Sequence, residues 1–307
     1  MAGNNLNLYM LEGIQKLEQY EQGSFIREPI IDVFAVALLN PTPEALVDAA
    51  AHFDEMLPPI EDKADVDEYL WNLWEVMVSI AESPSVPDEI QGYLVNILEF
   101  LQQYAKGDPS GPNSRQRVWQ DLPHFSINVE DSFLDPVDFE NYSPEYLQEW
   151  RNTNRFLARL VEAGIFAPSS QVMYAMRVAL EEDLSMTDNA ALRECRVQIA
   201  CDWIKHTAKP LLWWALENLG YHDVPVEDEA AYVEGGPLYY GPQTMCLRRW
   251  GFWMDRFQQL GDPNSSSLRE EVREAALETV YYMNRVERGL GHTLSEQGSR
   301  NRENHSS

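Results

Sequence analysis

The residues best suited to bind a ligand lie in one stretch of the second half of the chain, EGGPLYYGPQTMCLRRWGFWMDRFQQL, at 234–260. A glycine–proline corner lies on each side of two tyrosines, and a helix-like run with three arginines follows. Guanidinium groups recognise carboxylates and phosphates through paired hydrogen bonds, and aromatic rings line ligand pockets. The stretch therefore predicts a pocket or an interface, with these candidate residues: Tyr239, Tyr240, Arg248, Arg249, Trp250, Trp253 and Arg256.

The same stretch also has a structural interpretation, which its spacing favours. Large apolar residues recur on one helical stripe, which is typical of core packing; they are Trp250, Trp253, Met254, Phe257 and Leu260. Arg249 lies at the border of this stripe. In so acidic a chain we expect its arginines to pair with nearby carboxylates, such as those of PVEDEAAYVEGG. The two tyrosines are expected to cover the core rather than to line a pocket.

Motifs for catalysis are missing from the sequence. The glycines at 235–241 match neither GxGxxG nor the P-loop, and neither HExxH nor GxSxG occurs. Two acidic runs, 65–68 and 181–183, raise the possibility of metal-dependent isoprenoid chemistry, but neither has the DDxxD spacing. We therefore predict no catalytic residue, no metal site and no cofactor, and we lean towards a protein that is not an enzyme.

The charge of the chain limits its partners. Its 307 residues include 23 Lys and Arg against 50 Asp and Glu, for a formal net charge of −27. Such a field repels phosphate backbones and anionic lipids, so we expect neither nucleic-acid nor membrane partners. The start of the chain does not resemble a signal peptide, and no stretch approaches the ~20 apolar residues of a membrane span. We expect an acidic cytoplasmic protein whose three cysteines are reduced and buried.

Apolar periodicity indicates helices almost throughout. Residues recurring every three to four positions predict helices over 29–39, 65–82, 87–105, 169–183 and 188–208. Pro210 is expected to kink or break the chain before LLWWALENLG. The sequence therefore predicts an all-α protein of about ten to twelve helices, arranged as a multi-helix bundle or as an α-solenoid-like stack.

Local capping signals mark several helix starts. Thr42 precedes Pro43, and Ser143 precedes Pro144; both pairs fit a cap followed by a first-turn proline. The second pair begins a helix that runs to Gly164. Ser-Leu-Arg-Glu at 267–270 has the form of a capping box and is predicted to begin a helix to about residue 288.

The organisation of the chain follows from where the periodicity fails. Residues 107–142 are rich in Gly, Pro, Ser and acids without a helical period, and we interpret them as a linker or a strap. They separate an N-terminal helical region, 1–106, from a C-terminal helical region, 143–288. The polar tail, 289–307, is predicted to be disordered. We expect the whole to form one compact body.

Four segments of the second half carry a family resemblance. WRNTNRFLARLVEAG, MYAMRVALEED, ACDWIKHTAK and EGGPLYYGPQTMCLRRWGFWMDRF follow one another in this order. Together they resemble a fungal family known as domain of unknown function 3632, over about residues 145–283. The resemblance is most specific at GGPLYYG and RWGFW. It implies a fungal, mostly intracellular, helical protein, and it carries over no catalytic residue and no cofactor.

Two functional hypotheses remain open. The first is a non-catalytic binding or protein-interaction module that uses the aromatic and arginine corner at 236–257 and has an unknown protein partner. The alternative is an enzyme or carrier for a small apolar metabolite held in an aromatic-lined helical pocket. Its support is the aromatic content of the chain, with nine Trp, fourteen Tyr and eleven Phe.

Overall fold

The fold is helical wherever it is described, which confirms the predicted all-α class. The computed structural model describes residues 26–104, 115–133, 135–137, 140–167, 170–187, 189–217, 234–264 and 267–303. No strand occurs in these residues. The chain divides into two compact units, and the division falls between Phe166 and Ala167.

The first unit contains seven helices within its described residues. They are α1 (Arg27–Leu39), α2 (Pro43–Met56), α3 (Lys63–Glu82), α4 (Asp88–Tyr104), α5 (Arg115–Asp121), α6 (Phe125–Asp131) and α7 (Pro144–Glu162). The predicted caps of α2 and α7 are confirmed, since Thr42 Oγ1 accepts from Ala45 N at 3.2 Å and Ser143 Oγ from Tyr146 N at 3.3 Å. Helix α3 packs against α6 and α7.

The predicted linker or strap at 107–142 contains both α5 and α6. Trp119 of α5 is buried, and its indole N–H donates to Asp54 Oδ1 at 2.6 Å. Phe125 of α6 packs on Trp74 of α3, with ring centroids 5.0 Å apart. These short helices span too few turns to show a period in the sequence, yet their aromatic side chains anchor them to the first unit. Residues 105–114 lie outside the described residues.

The second unit is built on long helices. Helix α8 (Ser170–Met176) continues as a π-helical turn, Arg177–Glu181, and is followed by a 3₁₀ turn. The remaining helices are α9 (Ala190–Glu217), α10 (Leu247–Gly261) and α11 (Glu270–Glu303). Helix α11 packs against both α9 and α10. These contacts position the stretch at 234–260, which contains the candidate residues predicted from the sequence.

Two local predictions in this unit are corrected by the structure: the break that was one alternative at Pro210, and the capping box at 267–270. Helix α9 continues through Pro210 without a break, because the residues beyond the proline, Leu211 and Leu212, are buried in the core. Residues 267–270 do not form the predicted capping box, since α11 begins only at Glu270. The Glu194 side chain of α9 instead accepts from the Arg269 backbone N–H at 2.8 Å.

The last helix also extends beyond its predicted end. Its backbone is helical to Glu303, so the prediction that the helix stops near residue 288 is wrong. The glycines in this segment weaken a helix by about 1 kcal/mol each, and no proline is present to terminate it. Residues 304–307, at the end of the predicted disordered tail, lie outside the described residues.

Candidate functional site

The apolar stripe of α10 packs in the core of the second unit. Trp250, Trp253 and Phe257 are no more than 1% exposed, and Leu260 is also buried. Each large apolar side chain buried in this way contributes about 1.5–3 kcal/mol. The spacing favoured core packing for these two tryptophans, and both are buried in the core.

Arg249 is fully buried and forms an ion pair with Glu181 of the π-helical turn. Its Nε lies 2.6 Å from Oε1 of Glu181, and its Nη2 lies 2.8 Å from Oε2. Both side chains have no exposed surface. This bidentate geometry satisfies the fork of the guanidinium and both carboxylate oxygens at once. The partner was predicted in PVEDEAAYVEGG, but the carboxylate that binds Arg249 lies 68 residues away in sequence.

The Glu181 carboxylate also accepts from two groups besides Arg249. Trp253 Nε1 donates to Oε1 at 2.7 Å, and the backbone N–H of Gly236 donates to Oε2 at 2.8 Å. The carbonyl oxygen of Glu181 accepts from Leu238 N at 2.8 Å. A buried carboxylate with four donors is fully compensated. We call Glu181, Arg249, Trp253 and Gly236 the Glu181 cluster. Its geometry indicates that it stabilises the fold rather than binds a ligand.

The two tyrosines of the corner have different environments. Tyr239 is buried, and the centroid of its ring lies 5.2 Å from Cζ of Arg249, which is a cation–π distance. Its hydroxyl lies 3.6 Å from Sγ of Cys246, and burial together with that contact raises the pKa of the Tyr239 phenol. Tyr240 is 85% exposed. Only Tyr239 therefore covers the core as predicted.

The remaining candidate residues point to separate environments. Trp250 donates from Nε1 to Oε1 of Glu287 at 2.8 Å. Arg248 is exposed, whereas Arg256 donates from Nε to the carbonyl oxygen of Leu180 at 2.9 Å. The seven predicted residues thus do not converge on one pocket, and two of them, Arg249 and Trp253, bind Glu181 in the interior. The acidic run 181–183 is likewise unavailable as a magnesium motif, because Glu181 is held by the cluster.

A cavity that the sequence did not predict lies in the first unit, between α3, α6 and α7. Its volume is about 410 Å³. Four carboxylates and three aromatic side chains line it: Glu75, Glu82, Asp131, Glu149, Trp71, Tyr146 and Trp150. No Lys, Arg or His is among the described residues of its wall. We call this the acidic cavity.

The electrostatics of the acidic cavity centre on Glu82. Burial, reinforced by the nearby charge of Glu149, raises the pKa of Glu82 to about 7. Glu75 differs from Glu82, because it is paired at 2.5 Å with Arg27, which lies outside the wall. The indole N–H of Trp150 is buried and has no acceptor among the described residues. The cavity therefore holds a carboxyl group whose pKa is raised to about 7, in a wall whose described residues include no basic side chain.

Two of the three helices around this cavity, α3 and α7, carry a signal for it in their sequences. On α3, Trp71, Glu75 and Glu82 recur at helical spacing, and on α7 Tyr146, Glu149 and Trp150 do the same. Residues at i, i+3 and i+4 share one helix face. An acidic and aromatic face on each of two long helices is thus readable from sequence. The packing of those faces against each other is not.

The segments GGPLYYG and RWGFW, at which the family resemblance is most specific, both contribute to the Glu181 cluster. The first supplies Gly236, and the second supplies Arg249 and Trp253. A family model described as Protein of unknown function (DUF3632) matches residues 74–257. The match covers more than half of the chain, so the chain belongs to this family. It begins nearer the N-terminus than the resemblance over about 145–283 and includes parts of both units. No curated protein and no solved structure matches the chain.

None of the helices in the described part of the chain is long and apolar enough to cross a bilayer.

Proposed function

We propose that this protein is a non-catalytic binding protein whose ligand is a small organic cation held in the acidic cavity of the first unit. One observation carries the proposal. The described wall of the 410 Å³ cavity has four carboxylates and three aromatic rings, but no basic side chain. The binding role agrees with the first hypothesis from the sequence, while the site moves away from the corner at 236–257.

The chemistry of the wall favours a cationic ligand over an apolar one. Carboxylates attract an ammonium group, and tryptophan and tyrosine faces attract it through their π-electrons. An apolar metabolite would remove water from these carboxylates without offering them a charge or a donor in return, which costs free energy. This argument disfavours the alternative of an enzyme or carrier for a small apolar metabolite.

The arrangement of the carboxylates favours an organic cation over a metal ion. Within the described residues, no group of three or more His, Cys, Asp or Glu side chains is arranged to hold a metal. The volume of about 410 Å³ lies at the lower end of the range for small-molecule sites. An amine or quaternary ammonium compound fits both conditions.

Choline and its uncharged carbon analogue, dimethylbutanol, test the charge requirement directly. We expect calorimetric titration of the full chain at pH 8 to detect choline and to give no binding for dimethylbutanol. Choline affinity should fall about tenfold from pH 8 to pH 6, because a carboxyl with a pKa of about 7 is then largely protonated. Equal binding of the two compounds would contradict the proposal and support an apolar ligand.

Two variants locate the binding in the acidic cavity. Glu82→Gln is expected to weaken choline binding at pH 8 and to remove its dependence on pH. Glu55→Gln removes the same charge from an exposed position of α2 outside the cavity, and it should leave both properties unchanged. If the two variants behave alike, choline responds only to the net charge of the protein, and the proposed site is wrong.

A further inference from the structure

A second cavity, in the second unit, has the opposite chemistry. Its volume is about 560 Å³, and it lies beside the 3₁₀ turn, α9, α10 and the segment before α11. Six polar side chains contribute to its wall: Asp183, Ser185, Arg193, Arg256, Gln259 and Ser267. Two are arginines and only one is an acid. In a chain with a net charge of −27, a cavity with a cationic excess is unexpected on composition alone. We call it the arginine cavity.

The two arginines of this cavity bind neutral acceptors. Arg256 donates from Nε to the carbonyl oxygen of Leu180 at 2.9 Å and from Nη1 to Oε1 of Gln259 at 2.7 Å. Arg193 donates from Nη1 to the carbonyl oxygen of Thr187 at 2.5 Å. Among the described residues, neither guanidinium has a carboxylate at ion-pair distance. Arg249 of the same unit differs, because its charge is neutralised by Glu181.

The acid of the arginine cavity is already engaged. One carboxylate oxygen of Asp183, Oδ1, accepts from the backbone N–H of Ser185 at 2.9 Å and from its hydroxyl at 2.7 Å. Asp183 influences Arg256 only from beyond ion-pair distance. Partial burial lowers the pKa of the Arg256 guanidinium, which means that the surroundings do not fully compensate its charge. A ligand anion would supply that compensation.

We propose that the arginine cavity binds a small oxyanion, with its phosphate or carboxylate group held by Arg193 and Arg256. Guanidinium groups form charge-assisted hydrogen bonds with such oxygens, and two arginines in one cavity can hold one anion from two directions. The hydroxyls of Ser185 and Ser267 and the amide of Gln259 add polar groups for the rest of the ligand. This site is independent of the organic cation proposed for the first unit.

The test uses the full chain with inorganic phosphate, and with succinate as the carboxylate probe, at matched ionic strength against chloride. We expect at least one probe to give a saturable isotherm in calorimetry. The stronger of the two identifies the oxyanion class. Arg193→Gln and Arg256→Gln should each weaken that binding about tenfold, which corresponds to the loss of one charge-assisted contact. Absence of binding by both probes overturns the proposal.

Arg248→Gln is the matched control. Arg248 is exposed on the same helix as Arg256 and does not line the cavity, so its loss changes the net charge equally. We expect its oxyanion affinity to match that of the unmodified chain. Arg256→Lys, which retains the cation, covers the case in which Arg256→Gln fails to fold. If Arg193→Gln and Arg256→Lys both bind the probe as tightly as Arg248→Gln, the site is not in the arginine cavity.

Discussion

Replacing Arg249 with alanine is expected to lower the free energy of unfolding by about 3–5 kcal/mol. The substitution leaves the carboxylate of Glu181 in an interior where neither side chain of the pair has exposed surface. Trp253 Nε1 and Gly236 N would still donate to that carboxylate, but they carry no compensating charge. Urea denaturation followed by tryptophan fluorescence measures the loss.

The control is Arg248→Ala, which removes an exposed arginine one position earlier. It should change the stability by no more than about 0.5 kcal/mol. The double variant Glu181→Leu/Arg249→Met should lose less stability than the sum of the losses of Glu181→Leu and Arg249→Met, because it removes both charges. It will not be neutral, since the Trp253 and Gly236 N–H groups lose their acceptor. A loss below about 1 kcal/mol for Arg249→Ala would contradict a structural role.

Replacing Gly236 with alanine is expected to lower the free energy of unfolding by about 3 kcal/mol. A Cβ atom at this position would lie 2.6 Å from the carbonyl oxygen of Glu181 and 2.8 Å from its Cβ. Backbone atoms cannot move aside as a flexible side chain can. The loop must therefore shift, and the shift lengthens the hydrogen bond from Gly236 N to the Glu181 carboxylate. Urea denaturation of this variant gives the magnitude.

Gly251→Ala provides the matched glycine control. Gly251 lies within α10, and a Cβ atom there would meet nothing within 4 Å. Alanine has the higher helix propensity, so this variant should be unchanged or more stable by up to about 1 kcal/mol. If the two alanine variants have the same stability, close approach to Glu181 is not the reason for glycine at position 236.

The helices could be predicted from the sequence because their signals are local. Thr42 and Ser143 cap the helices that they were predicted to cap, and the stripe of α10 is buried as its spacing indicated. The errors arose where a distant residue decided the outcome. The start of α11 depends on Glu194, which lies 75 residues away from Arg269 in sequence.

The role of the corner was predicted only in part for the same reason. Arg249 was expected to pair with an acid, and it does. The sequence could not identify Glu181 as that acid, because nothing local connects the π-helical turn to the corner. The acidic cavity likewise depends on which faces of α3 and α7 meet, and helical periodicity does not determine that.

The Glu181 cluster also has a kinetic consequence for the second unit. It joins three segments that are distant in sequence: the π-helical turn, the loop at 234–238 and α10. Contacts of such long sequence separation require costly loop closure, so they are expected to form late in folding. Interactions absent from the transition state slow unfolding and leave the folding rate nearly unchanged. The buried pair would then set how long the second unit stays folded once it has formed.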